Sequence, residues 1–130
     1  KSQKIKYYYR KKINMLNTVN KAFAKSSFRK GFKTGSIQSQ TLNSVLDKSK
    51  FKNKKIDFLN LDIEGNEINA LRSLDLRKYS PKLICIEIHN YTSGRYNNDF
   101  LKKDVIYKFL IKNGYKNIWK NEFSYIFSRK

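Results

Sequence analysis

Acidic side chains and a single imidazole recur in this sequence at the spacing that an extended chain turns into a shared face. Asp62 and Glu64 lie two residues apart at the end of Ile56-Asp57-Phe58-Leu59-Asn60-Leu61-Asp62-Ile63. Glu87 and His89 repeat the spacing at the end of Leu83-Ile84-Cys85-Ile86-Glu87-Ile88-His89. Along a strand, residues i and i+2 point to one side. Each pair is therefore expected to share a face for as long as the extended geometry persists, with Ile84, Ile86 and Ile88 on the opposite one. Two chemistries suit such a rim. His89 would accept a proton from a substrate hydroxyl near neutral pH, with Glu87 or Glu64 orienting the ring or holding it charged. Alternatively, Asp62 and Glu64, with or without Glu87, would give oxygen ligands to a magnesium ion that acidifies the hydroxyl. A structural reading stands beside both: Asp62 caps the following helix, Glu64 and Glu67 favour its positive end, and His89 is a hydrogen-bonded turn residue. Whichever holds, a polar side chain inside an apolar run needs a reason.

The elements that must position these groups are legible from residue 37 onward. Residues 37–40 read as a short strand, and Thr41 as the N-cap of a helix with Leu42, Val45 and Leu46 on one face. Residues 56–63 are mostly apolar over strand length and end at Glu64-Gly65. Residues 66–74 then place Ile68, Leu71 and Leu74 at helical spacing. Pro81 marks a break before residues 83–89, the strongest strand pattern in the chain. Two buried strands joined by a crossover of this length are expected to be parallel neighbours. After a polar loop over residues 90–98, Asp99 is the expected cap of a helix carrying Leu101, Val105, Phe109 and Leu110, with Gly114 just past its end. Residues 115–119 and 124–127 read as a closing hairpin around Lys120-Asn121-Glu122. In open α/β sheets, ligands bind outside the carboxyl ends of the strands, where both polar pairs would fall.

The chain has 130 residues, 39% of them hydrophobic, with nine each of Phe and Tyr. It is one domain or part of one, with enough apolar material to fold. No run approaches the roughly 20 apolar residues that cross a bilayer, and no apolar stretch follows the basic amino terminus. Cys85 is the only cysteine, which excludes an internal disulfide and a multi-cysteine zinc site. These features suit a protein of the reducing cytoplasm. The chain begins with Lys rather than Met, and the expectation is an incomplete or trimmed sequence. Its net charge of +19 raises a polyanionic partner. The bias is concentrated at the front, where residues 1–55 hold 16 Lys and Arg against one acid, Asp47. The excess of Lys, Asn, Ile, Phe and Tyr is also what an AT-rich coding sequence favours, and no nucleic-acid-binding module is recognisable. Phe23, Phe28 and Phe32 are accordingly read as packing residues. The glycine patterns of dinucleotide and P-loop sites and the G-x-S-x-G elbow are missing.

Three stretches together resemble a known family. They are Thr41-Leu42-Asn43-Ser44-Val45-Leu46, then Ile56 through Asn60-Leu61-Asp62-Ile63-Glu64-Gly65-Asn66-Glu67, then Pro81-Lys82-Leu83-Ile84-Cys85-Ile86-Glu87-Ile88-His89. In order and spacing they are similar to the FkbM methyltransferases, where a "TLD-x-LL" helix precedes "IDFLKIDVEGHE" and a later "PKLIxxEIH" strand. Asn17-Thr18-Val19 with Phe23-Ala24 is similar to a stretch ahead of that helix in some members. The resemblance implies part of a class I, Rossmann-like methyltransferase fold, a mixed sheet in which residues 56–63 and 83–89 are the fourth and fifth strands and the hairpin the sixth and seventh. It implies transfer of a methyl group from S-adenosylmethionine to an oxygen, commonly a hydroxyl of a glycan or related metabolite. Asp62 and Glu64, and next Glu87 and His89, are the positions it implies for catalysis or substrate orientation. The Asp-x-Gly-x-Asn-like turn that binds the cofactor in the family does not occur in this sequence. The expectation is thus a basic segment over residues 1–36 and the C-terminal part of a methyltransferase domain over 37–130, its N-terminal strands missing. The competing expectation is a non-catalytic basic module that binds nucleic acid or another polyanion.

Overall fold

The computed structural model describes residues 3–89 and 98–130. Among these residues eleven elements follow one another: β1 (Gln3–Tyr9), α1 (Lys21–Ser27), β2 (Lys33–Ser39), α2 (Leu42–Asp47), β3 (Phe58–Leu61), α3 (Glu67–Arg72), β4 (Leu83–Glu87), α4 (Asn98–Lys103), α5 (Val105–Lys112), β5 (Tyr115–Lys120) and β6 (Ser124–Arg129). They form two compact units, Lys1–Ser49 with Ile63–Leu74, and Lys50–Asp62 with Asp75–Lys130. Among the described residues, no helix is long and apolar enough to cross a membrane.

In the first unit the basic front is a folded ribbon. β1 and β2 pair antiparallel from Gln3 opposite Ser39 to Tyr9 opposite Lys33. Tyr8 turns inward and is buried with Ala24 and Phe28, and Leu16 and Phe32 pack against them. The rings of Tyr8 and Phe32 meet edge-on at 5.4 Å, a favourable aromatic geometry. Two backbone hydrogen bonds, 2.8 and 3.0 Å, clip Tyr8 to Thr18. Asn20 then caps α1, its side chain accepting from the amides of Ala22 and Phe23. Thr41 caps α2 as its sequence predicts, accepting from the Ser44 amide at 3.1 Å. Leu42, Val45 and Leu46 follow on a helix of six residues, none of them fully buried.

In the second unit four strands lie in the order β3-β4-β6-β5. β3 and β4 are parallel, in register from Phe58 opposite Leu83 to Leu61 opposite Ile86. β6 is antiparallel to β4 and forms the closing hairpin with β5. The fold is therefore mixed α/β with a mixed sheet and a C-terminal hairpin. Ile84, Ile86, Leu110, Tyr115 and Phe127 are fully buried, and Ile88 and Tyr125 nearly so.

Two expectations are corrected. The strands are shorter than the apolar runs that signal them, with β3 covering Phe58–Leu61 and β4 Leu83–Glu87. Backbone hydrogen bonds nevertheless continue past their ends, from Lys82 to Ile56 and from Ile88 to Phe123. The single helix capped by Asp99 is two helices: residue 99 lies within α4, and Asp104 caps α5, accepting from Ile106 N at 2.7 Å and Tyr107 N at 3.2 Å. A cap must sit outside helical geometry, and Asp104 does so at φ −64°, ψ 143°. The polar loop over 90–98 lies, up to residue 97, outside the described residues. Gly114 follows α5 at φ +83°, the left-handed position past a helix end that its sequence predicts.

Candidate active site

The rim of the parallel pair belongs to the second unit. One residue beyond the last registered pair, Leu61 with Ile86, the two strands carry Asp62 and Glu87. Strand alternation sends Ile84, Ile86 and Ile88 into the core and leaves Cys85, Glu87 and His89 on the other side, all three only partly buried. Glu87 Oε2 and His89 Nε2 are 2.8 Å apart, with side chains 24% and 19% exposed. The pair is shielded enough for its geometry to hold and open enough to be reached. The Phe123 ring lies 5.2 Å from the imidazole, centroid to centroid, and the Phe123 carbonyl accepts from Ile88 N at 2.9 Å. Cys85 reports on the same neighbourhood. Burial pushes its thiol above the ordinary range, and the negative charges of Glu87 and then Asp62 push it further. A carboxylate at Nε2 favours the tautomer that carries a proton on that nitrogen. This is the arrangement of an oriented base.

The turn after Asp62 belongs to the first unit, and it corrects the expectation that Asp62 and Glu64 share a face. Extended geometry does not persist: Glu64 has φ +56° and Gly65 φ +88°, both left-handed. Such a conformation is uncommon for a residue with a Cβ. Four hydrogen bonds hold it. Thr18 Oγ1 donates to the Glu64 carbonyl at 2.7 Å, and Asn20 Nδ2 to the Gly65 carbonyl at 3.2 Å. Glu67 Oε1 accepts from the amides of Ile63 at 3.1 Å and Gly65 at 3.0 Å. Asp62 is not the cap of α3. That position falls to Asn66, whose Oδ1 accepts instead from Asn69 Nδ2 at 2.7 Å. Sequence reasoning set Glu67 at the positive end of the helix but missed it as the residue that ties the turn, because its two amide partners, Ile63 and Gly65, lie before the helix begins. It also missed Thr18, which is buried, and Asn20.

A cleft of about 600 Å³ opens in the first unit, with Lys6, Gln40, Thr41, Asn66, Asn69 and Ser73 among the groups that line it and Ile5 and Ile63 supplying apolar wall. Its volume is that of a small-molecule site. Among the described residues, its polar lining is neutral amides and hydroxyls with Lys6, and no carboxylate. That donor set does not fit S-adenosylmethionine, a sulfonium cation carrying a ribose diol. Among the described residues, no three of His, Cys, Asp and Glu form a group that would hold a metal ion. The proton-transfer reading of the rim has a geometry in the contact between Glu87 and His89.

The fold is a mixed α/β one whose polar side chains gather at the carboxyl ends of parallel strands, where enzymes of this class place their chemistry. The chain belongs to the FkbM methyltransferase family: the profile of the Methyltransferase FkbM domain matches residues 3–116. The match begins at β1 and ends inside β5, and so takes in both the basic ribbon and the Glu87–His89 rim. By that resemblance it is a methyltransferase. No curated protein and no solved structure matches it.

Proposed function

We propose that this protein is part of an S-adenosylmethionine-dependent O-methyltransferase that acts on a hydroxyl of a glycan or related metabolite. The carrying observation is the 2.8 Å contact between His89 Nε2 and Glu87 Oε2 at the carboxyl end of β4. An acceptor hydroxyl is a poor nucleophile until its proton is removed. His89 takes that proton on Nδ1, and Glu87 holds the ring and stabilises the imidazolium that forms. Asp62, beside Glu87, orients the acceptor at the same rim, and Glu64 is the further acid that the family likeness marks. The parallel β3–β4 pair flanked by an antiparallel hairpin supports a class I, Rossmann-like sheet. The sequence carries no Asp-x-Gly-x-Asn-like turn and the cleft does not suit the donor, so we assign donor binding to residues other than these. The alternative of a basic polyanion-binding module is weakened because Tyr8, Phe23 and Phe28 are spent on a core.

The test is transfer of labelled methyl from S-adenosylmethionine to a panel of glycans and hydroxylated metabolites, measured on the full-length protein. His89→Gln is expected to lose about 10² to 10⁴ in rate, the usual worth of general-base catalysis, with thermal unfolding little changed. Asp62→Asn should lose most of the transfer while keeping its fold. Near-normal turnover in both variants, or losses that track unfolding, would remove the rim from the mechanism.

A further inference from the structure

The turn at residues 63–65 is held in a conformation that its own sequence does not favour, by residues that no part of the reaction above uses. Glu64 and Gly65 are consecutive left-handed residues. Their two carbonyls are both taken by side chains about 45 positions earlier in the chain, Thr18 for Glu64 and Asn20 for Gly65. Thr18 is 3% exposed. Its hydroxyl also accepts from the Asn20 amide at 3.0 Å, and its backbone is clipped on both sides to Tyr8 of β1. Asn20 spends its other side-chain atom, Oδ1, on the amides of Ala22 and Phe23. Neither residue can turn away without breaking a second contact. The fit is also close: a Cβ at Gly65 would meet Asn20 Nδ2 at 3.0 Å.

We propose that Thr18 and Asn20 are positioning residues for Glu64: they clamp the Glu64 and Gly65 carbonyls and thereby set the direction in which the Glu64 carboxylate leaves the backbone. Rotation of a peptide plane at a left-handed residue redirects the side chain on it, so the clamp decides where the carboxylate is presented without touching reacting atoms. The inference rests on the reading of Glu64 as a functional acid.

Three variants of the full-length protein separate the roles. Thr18→Val removes the hydroxyl and keeps the shape, Thr18→Ser restores the hydroxyl, and Asn20→Asp keeps the cap acceptor for α1 while replacing the donor to Gly65 by an oxygen. Hydrogen exchange of the Ile63 and Gly65 amides is read beside kcat and KM for methyl transfer. Thr18→Val and Asn20→Asp are expected to speed exchange of both amides at least tenfold and to lower kcat about tenfold with KM nearly unchanged. Exchange at Ala24 and Ile86 should stay as in the wild type, and Thr18→Ser should recover both readouts to within about threefold. Unchanged exchange in Thr18→Val overturns the clamp. Faster exchange with unaltered kcat overturns positioning and leaves a structural tie only, and failure of Thr18→Ser to rescue assigns the effect to packing. If Glu64→Gln keeps full activity while His89→Gln is inactive, the catalytic half of this inference falls and the proposed function stands. If neither variant loses activity, the proposed function falls, and exchange alone still decides the clamp.

Discussion

The rim of β4 and the turn at residues 63–67 place polar groups by opposite means. At the rim, Glu87 and His89 meet because a strand returns every second side chain to the same face, and their 2.8 Å contact needs only two residues of regular backbone. In the turn, the backbone is irregular and its polar groups are satisfied by Thr18, Asn20 and Glu67, of which two come from distant sequence. A repeating element carries its own geometry; an irregular one borrows it from whatever satisfies its amides and carbonyls. Loss of a single acceptor should therefore damage the turn more than loss of a single polar contact damages the sheet.

Glu67→Ala is the most direct way to break that comparison. Glu67 is 4% exposed, and one of its oxygens accepts from two amides. Hydrogen bonds to a charged acceptor contribute about 1.5–3 kcal/mol each, and the amides left behind cost more if water cannot reach them. Denaturant unfolding should show a loss on the order of 3 kcal/mol. Glu67→Gln, which keeps an acceptor oxygen, should recover at least half of it. A loss below about 1 kcal/mol would mean that the turn finds other acceptors, at the level of an ordinary neutral hydrogen bond.

The sheet gives the matching measurement. The hydroxyl of Tyr115, a fully buried residue, donates to the Pro81 carbonyl at 2.8 Å. Tyr115→Phe keeps the ring in its core position and leaves that carbonyl without its donor, so the expected cost is about 1–2 kcal/mol. The same unfolding experiment reads it. A Tyr115→Phe loss larger than that of Glu67→Ala would reverse the ranking and place the greater dependence on single polar contacts in the regular sheet.

The same contrast explains what the sequence discloses. The parallel β3–β4 pair, the closing hairpin, the Thr41 cap and the left-handed Gly114 are each written in a local pattern of apolar spacing or residue type. Of the β1–β2 ribbon only residues 37–39, read as part of a short strand, were legible, because its strands are mostly exposed and carry no clean alternation of apolar and polar residues: Lys4 and Lys6 share their side of β1 with the buried Tyr8. The choice of Asp104 over Asp99 as a cap was equally hidden, since both acids precede apolar residues at helical spacing. At the site, Glu87 and His89 were legible as neighbours because alternation is a property of the backbone itself. Glu64 was not, because it sits in a left-handed turn whose carbonyl is bonded by Thr18, and no periodicity encodes a partner that far away.

The smallest effect concerns the sheet rim and can be read without substrate. The Cys85 thiol is held above its ordinary range first by burial and then by the charges of Glu87 and Asp62. Thiolate is the reactive form, so alkylation at mildly alkaline pH should be slower than for an unhindered free cysteine. Removing a negative neighbour brings the thiol down and raises the thiolate fraction. Glu87→Gln should therefore speed alkylation several-fold, and Asp62→Asn somewhat less, in keeping with the order of their influence on the thiol. The stability consequence has a fixed sign. The folded protein holds the thiol proton more tightly than the unfolded chain, so the contribution is complete below the unfolded thiol's range and is lost as pH rises through the folded one. Tyr115, also raised by burial, acts in the same direction at still higher pH. Cys85→Ala should accordingly flatten the fall in stability on the alkaline side and leave the acidic side as it was. If Glu87→Gln leaves the alkylation rate of Cys85 untouched, the carboxylate does not sit beside the thiol, and the arrangement of acid and imidazole from which the oriented base is inferred is wrong at its first contact.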